Sequence, residues 1–268
     1  IELLQNLTIS TAGSEVKIGA TGTNVSKHIF LTSEGGERKN INYQVVDEAF
    51  IIVAQNNLKN SLTLGNIYLD GQNSSQNHTC SLIEVKKEGS LQLGIPNNEN
   101  EKPYFIGCVQ KAKGSIGGAI TCNGQLTMYD AEFYVCSAYS GGAIYLSPTG
   151  NDITFNMYGG KIYYCPDSGG GGGAIFGTSS GDNKLNININ GGEITDIQGC
   201  TSAICVEGKG DNNLCNLNIS GGSITNGQKL QSAILTKAVT GADKAPNINV
   251  SGNPSIKGNY GDGPSNLV

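Results

Sequence analysis

The chain of 268 residues contains no tryptophan, a single arginine, two histidines, two methionines and seven prolines. Each shortage closes off a class of function. With Arg38 as its only guanidinium, the chain cannot build a bidentate clamp of several arginines for phosphate or carboxylate. A net charge of −5 leaves no clustered Lys/Arg to neutralise a nucleic-acid backbone, so nucleic acid is not an expected partner. No apolar run approaches the ~18 residues of a membrane-spanning helix, so no membrane insertion is expected within this segment. The opening Ile1-Glu-Leu-Leu4 has neither the basic n-region nor the apolar h-region of a signal peptide, and reads as a mature or excised segment whose anchor lies outside it. No stretch combines a 3.6-residue period with capping residues, so little helix is expected.

What the chain does have is glycine, 39 of them, and apolar residues at 37% placed in a strict pattern, unlike a disordered tract. Tripeptides of the form small-Ala-Ile end at Ile120, Ile144, Ile175, Ile204 and Ile234. In the last four units a second isoleucine follows: Ile162, Ile194 and Ile224 after Gly-Gly-x, and Ile256 after Gly252-Asn-Pro-Ser. The period of about 30 residues marks a solenoid, whose units must stack because none buries its apolar face alone. Within a unit, three short segments alternate apolar and polar, as in Phe155-Asn-Met157, Ile187-Asn-Ile189, Leu217-Asn-Ile219 and Ile248-Asn-Val250. Gly-Gly, Gly-Asn and Asp-Asn separate them, which is turn chemistry. The expected fold is all-β: one single-stranded, right-handed parallel β-helix with three strands per rung of about 30 residues. One domain would fill 1–268, with irregular first coils or a cap at 1–60, regular coils at 61–260 and a tail at 261–268. Residues 94–103, rich in Asn, Glu and Pro, break the rhythm and should form a surface loop.

Eight cysteines call for disulfide, metal and core readings together. Alignment of the third segment puts Cys108, Cys136 and Cys165 at one position, which Ile197 occupies in the next unit. A slot shared by Cys and Ile is apolar interior, which favours stacked, reduced thiols. Disulfides remain the alternative, most of all among Cys200, Cys205 and Cys215. Zinc is weaker still, without a Cys-x-x-Cys and with His28 and His78 far apart.

Four surface features carry the functional reading. Seven of the eleven tyrosines fall between 129 and 164, and the repeat register sets Tyr129 beside Tyr158 and Tyr134 beside Tyr163 on neighbouring coils. Such pairs suit a sugar ring or a protein partner, or are simply cross-strand packing. Asp130 and Glu132, two apart between strands, are the carboxylates that could share a face with them. Asp152, Asp182, Asp211 and Asp243 recur once per unit in a turn, and stacked roughly 5 Å apart they could hold calcium or merely face water. Asn156, Asn188, Asn218 and Asn249, with Asn186, Asn216 and Asn247 beside them, form outward columns that can hydrogen-bond along the stack. The columns also account for the glycosylation-like triplets at Asn218 and Asn249.

The Gly-Gly-Ala-Ile strings at 117–120 and 141–144, with Gly-Gly-x-Ile in the units that follow, resemble the right-handed β-helix repeats of bacterial adhesin-like and polymorphic-membrane-protein-type surface proteins. The likeness covers residues 60–260. It implies a pectate-lyase-like coil displayed at the cell surface as part of a larger protein, and carries over no catalytic residue. The expectation is an extracellular adhesin or structural module that binds glycan or a host or partner protein, without a cofactor other than calcium. The alternative is a polysaccharide-active lyase or glycoside hydrolase, for which no carboxylate pair or basic constellation is visible along the sequence.

Overall fold

The structure is a computed structural model, and it describes all residues except 20, 21, 23, 46, 55, 57, 73–77, 180–181, 198, 209–213, 229–231, 239–244 and 261–268. The side chains of 168, 226–228 and 258–260 are also outside it. The chain winds as a parallel β-solenoid of about 31 residues per turn. Each turn contributes one strand to each of three main sheets, and helix is confined to one short 3-10 segment, Glu34–Gly36, among the described residues.

In the middle coils the first sheet takes Ser90–Leu93, Gln125–Met128, Ile153–Met157 and Leu185–Ile189. The second takes Tyr104–Ile106, Glu132–Tyr134, Lys161–Tyr163 and Glu193–Thr195. The third takes Ile83–Val85, Ile120–Cys122, Ile144–Leu146 and Ile175–Ser179. Neighbouring coils stack residue on residue. Leu62, Leu91, Leu126, Phe155, Ile187, Leu217 and Ile248 form one inward column, and Phe105, Phe133, Ile162, Ile194 and Ile224 another. Alternation makes this work: with a side-chain period of two, every second residue of each strand points into the interior, where the aliphatic columns are buried. The Phe105 and Phe133 rings stack 4.5 Å apart at 5° inside the coil.

Residues 1–60, where the sequence shows no clean repeat, supply two further coils of the same sheets. Glu2–Leu3 pairs with His28–Ser33, Leu7–Ile9 with Lys39–Tyr43, and Val16–Ile18 with Ile51–Val53. Leu4, Leu7 and Val16 are exposed at that end. A small fourth sheet pairs Ala138–Ser140 with Asp167–Gly171.

The corners between first and second sheets explain the Gly-Gly-x-Ile signature. Gly160 turns with φ +88°, and a Cβ there would meet the Met128 methyl at 2.4 Å and the Ala131 carbonyl oxygen at 2.4 Å. The corner is both left-handed and in contact with the coil below, so only glycine fits.

Cys108, Cys136 and Cys165 do share one interior slot with Ile197, all essentially inaccessible. Burial pushes the thiols of Cys136 and Cys165 well up. None of the eight cysteines is in a disulfide, Cys200, Cys205 and Cys215 included.

The asparagine columns are closed amide ladders. Asn188 donates to Asn156, Asn218 to Asn188 and Asn249 to Asn218, each at 2.8 Å; Asn216 donates to Asn186 and Asn247 to Asn216, each at 3.0 Å. The same face continues through Gln125 and Thr127, Ser90 and Gln92, and Ser61 and Thr63. From Ser61–Leu64 to Asn247–Val250, its outward pairs on seven successive strands include no charged residue.

Two outcomes are expected. A thiol reagent added to native protein titrates only the partly exposed Cys80, and all eight cysteines after denaturation; rapid native reaction of a second thiol contradicts the interior slot. In urea, Asn188→Ala costs about 1–3 kcal/mol because it strands a donor and an acceptor in the ladder, while Thr63→Ala stays within about 0.5 kcal/mol.

Candidate functional site

The corner where first sheet meets second departs from the repeat once among the middle coils. From Leu62 to Leu69, Leu126 to Phe133 and Phe155 to Ile162 the chain uses 7 residues; from Leu91 to Phe105 it uses 14. The surplus is the 94–103 loop, and it is folded against its neighbours. Asn98 N donates to the Ile95 carbonyl (3.2 Å) and Glu101 N to the Asn98 carbonyl (3.1 Å), giving consecutive turns. The Glu101 carboxylate accepts from Thr32 Oγ1 (2.6 Å) and Asn66 N (2.9 Å), which ties the loop to two earlier coils. At its far end Arg38 Nη2 donates to the Lys102 carbonyl (3.4 Å), and the guanidinium lies 4.0 Å over the Tyr104 ring.

Anchored in this way, the loop walls a groove of about 360 Å³. Ile95, Pro96, Asn97, Asn98 and Glu99 form one side; Tyr129, Asp130 and Tyr158 form the other. Tyr129 and Tyr158 follow equivalent strands on adjacent coils, so the one-coil offset stacks their rings 5.3 Å apart at 12°. Tyr158 is half exposed. The groove thus has an aromatic floor and a rim of amides and carboxylates.

Beside the groove, just before the second-sheet strand Tyr104–Ile106, Lys102 stands between two carboxylates. Its Nζ is 3.0 Å from Glu132 and 3.9 Å from Asp130. Glu132 also accepts from the hydroxyls of Tyr104 (2.6 Å) and Tyr163 (3.3 Å). Tyr163 packs on Tyr134 with centroids 4.9 Å apart at 31°, and Tyr164 meets both edge-on. The residues singled out from the sequence, Tyr129 with Tyr158 and Tyr134 with Tyr163, are therefore brought together in pairs, and Asp130 and Glu132 are linked through Lys102.

The environments of the two carboxyls differ. Partial burial raises Asp130, and the charges of Glu132 and Glu99 add to this against the opposing pull of Lys102. Burial works against the charged form of Glu132 as well, but the Tyr104 hydroxyl, Lys102 and the Tyr163 hydroxyl outweigh it and hold the carboxyl below its usual range. For Lys102 burial is again opposed and overcome, here by Glu132 and Asp130, so the ammonium is held charged. Burial, with the Glu132 charge behind it, pushes the Tyr163 phenol up to about 12.

In the aspartate turn row, Asp152 Oδ1 accepts from the Lys184 backbone N–H one coil away (2.8 Å), so this carboxylate serves the turn. Asp182 has its own interactions, and Asp211 and Asp243 lie outside the described residues. Among the described residues no group of three or more His, Cys, Asp or Glu side chains is placed to hold a metal ion. Lys102, Tyr104 and Glu99 escaped the sequence reading, and Arg38 entered it only as the single arginine; the available signal was the length of the coil, which sets the inserted loop against the next corner.

No protein-family model matches the chain, and neither a curated protein nor a solved structure is detectably similar to it.

The carboxyls make opposite contributions to stability. Glu132, lowered from 4.5 on folding, stabilises the fold fully above that pH and progressively less as pH falls through its folded value. Asp130, raised from 3.8, destabilises as pH rises above that value. Glu132→Gln should lower Tm at pH 7 and Asp130→Asn should raise it, with both differences shrinking toward pH 3. Thermal melts across that range check this; a Glu132→Gln deficit that persists unchanged at pH 3 contradicts the assignment.

Proposed function

We propose that this chain is a binding module of an extracellular or cell-surface protein, a non-catalytic adhesin or structural β-helix domain that recognises glycan through the groove at Tyr129 and Tyr158. The observation that carries the reading is the inserted loop. A solenoid coil needs only 7 residues at this corner, and the extra ones, fixed by Glu101, Arg38 and Lys102, wall the stacked tyrosine pair. Flat aromatic faces with polar tips, flanked by amides and carboxylates, suit a sugar ring, which offers C–H groups on its face and hydroxyls at its rim. A host or partner protein could use the same anchors. The surface-display part of the proposal rests on the repeat likeness alone.

One observation favours a second reading, a polysaccharide-active enzyme. Asp130 and Glu132 flank one ammonium with their proton affinities pushed apart, as a general acid and its partner require. Against it, Glu132 is already engaged by three donors and the Tyr163 phenol titrates far above neutrality, so neither exchanges a proton readily at neutral pH.

A glycan array with the native chain and a Tyr129→Ala/Tyr158→Ala variant tests the binding reading. Native retention of a glycan set that the variant loses by at least about tenfold is expected; equal binding by both rejects the groove. Incubation with a polysaccharide panel and calcium, read by unsaturated products and reducing ends, should show no turnover, and any turnover lost in Glu132→Gln would replace the binding reading with the enzymatic one.

A further inference from the structure

The groove continues onto the second sheet. Asp130 lines the groove, Lys102 joins Asp130 to Glu132, Glu132 receives the Tyr163 hydroxyl, and the Tyr163 ring lies on Tyr134. Each link is a direct contact, so the two tyrosine pairs are the ends of one strip. It runs along the strand direction, across the coils' outer face. Tyr129 and Tyr134 are five residues apart, a reach of at most about 17 Å of extended chain. The polar cluster of Lys102, Glu132 and Tyr104 lies between the ends, so a ligand that touches both pairs must also pass over it.

Charge decides what can lie on the strip. Lys102 is shared by two carboxylates; Lys161 pairs with Glu193 at 3.3 Å and lies 5.2 Å from the centroid of the Tyr163 ring; Arg38 is held over Tyr104. Lys102 and Lys161 are thus each paired with a carboxylate, Arg38 is packed on a ring without a carboxylate partner, and the groove itself carries Glu99 and Asp130 with no cation in its lining. A uronate or sulfate in the groove would face these carboxylates with no ammonium or guanidinium in the lining to receive it. An uncharged ring meets no such penalty, and can stack on a tyrosine while its hydroxyls bond the flanking carboxylates and amides.

On these grounds, and resting on the glycan reading of the groove, we infer that the site takes an uncharged oligosaccharide of several rings. One end stacks on Tyr129 and Tyr158, the other on Tyr134 and Tyr163, with the middle units over the Lys102–Glu132 cluster.

Titration calorimetry with the monomer, dimer, tetramer and hexamer of β-1,4-linked glucose, and with hexameric oligogalacturonate as the charged comparator, tests this. Affinity should rise from dimer to hexamer. Tyr158→Ala should weaken every length, Tyr163→Ala should weaken only the longer oligomers, by about tenfold, and the comparator should bind more weakly than the neutral hexamer. Tyr163→Phe keeps the ring, removes only the hydroxyl bond to Glu132, and should retain the hexamer, which separates lost stacking from a damaged fold. An unchanged hexamer affinity in Tyr163→Ala, or tighter binding of the oligogalacturonate, overturns the inference. If dimer binding still depends on Tyr158 in that case, the groove reading survives alone. Absence of binding at every length rejects the extended site, and absence of any Tyr158-dependent glycan on the array rejects the groove as well.

Discussion

Residue-on-residue stacking of parallel strands is the constraint from which the rest of this structure follows. Because side chains alternate with a period of two, a slip of one position at Gln125–Met128 would turn Leu126 and Met128 outward and Thr127 inward. The apolar columns forbid that slip, and each coil therefore inherits its register from the coil before. Whatever a position displays, it displays as a column: phenylalanine on phenylalanine inside, thiol above thiol in the Cys108 slot, amide on amide along Asn156 to Asn249, tyrosine beside tyrosine at 129 and 158. Strand register is not free to vary, and the corners are. A longer loop adds only slowly to the entropic cost of closure, so this is where a solenoid acquires a feature that its neighbours lack. Residues 94–103 are that feature.

What depends on register was legible in the sequence. Gly-Gly-x-Ile announced the corner and the inward isoleucine; substitution of Ile197 for cysteine in the Cys108 series marked that slot as interior; spacing alone set Tyr129 on Tyr158. What depends on contact between a loop and a distant coil was not. Glu101 reaches Thr32 across 69 positions and Asn66 across 35, and no periodicity reports such a pairing. Lys102 looked like one charge in a polar insertion, and only its placement between Asp130 and Glu132 gives it a role. The same is true of Asp130 and Glu132, which are chemically alike on paper and differ because one faces Glu99 and the groove while the other collects three donors. The first two coils were hidden for another reason: with strands as short as Glu2–Leu3 and Val16–Ile18, too few alternations exist to betray a period.

The candidate site is stiff. Its floor is fixed by strand register, its wall by two bonds to Glu101, and its middle by an ammonium shared between carboxylates. A ligand meeting such a surface does not have to order it, so less of the contact free energy is lost to immobilising side chains and loop. Shape and charge are set in advance, and selectivity follows from them more than from adaptation.

The uncharged face of the first sheet has a consequence of another kind. From Ser61 to Asn249 its outward groups are hydroxyls and amides, none of which gains or loses a proton in ordinary aqueous media, and none of which attracts a counterion shell. Acid or brine therefore has little to act upon there, while the ion pairs on the other two sheets loosen under both. The molecule is divided lengthwise into a flank that ignores its ionic surroundings and a flank that responds to them. A change of medium can loosen Lys102 from its carboxylates, while the amide ladders that register the coils stay in place.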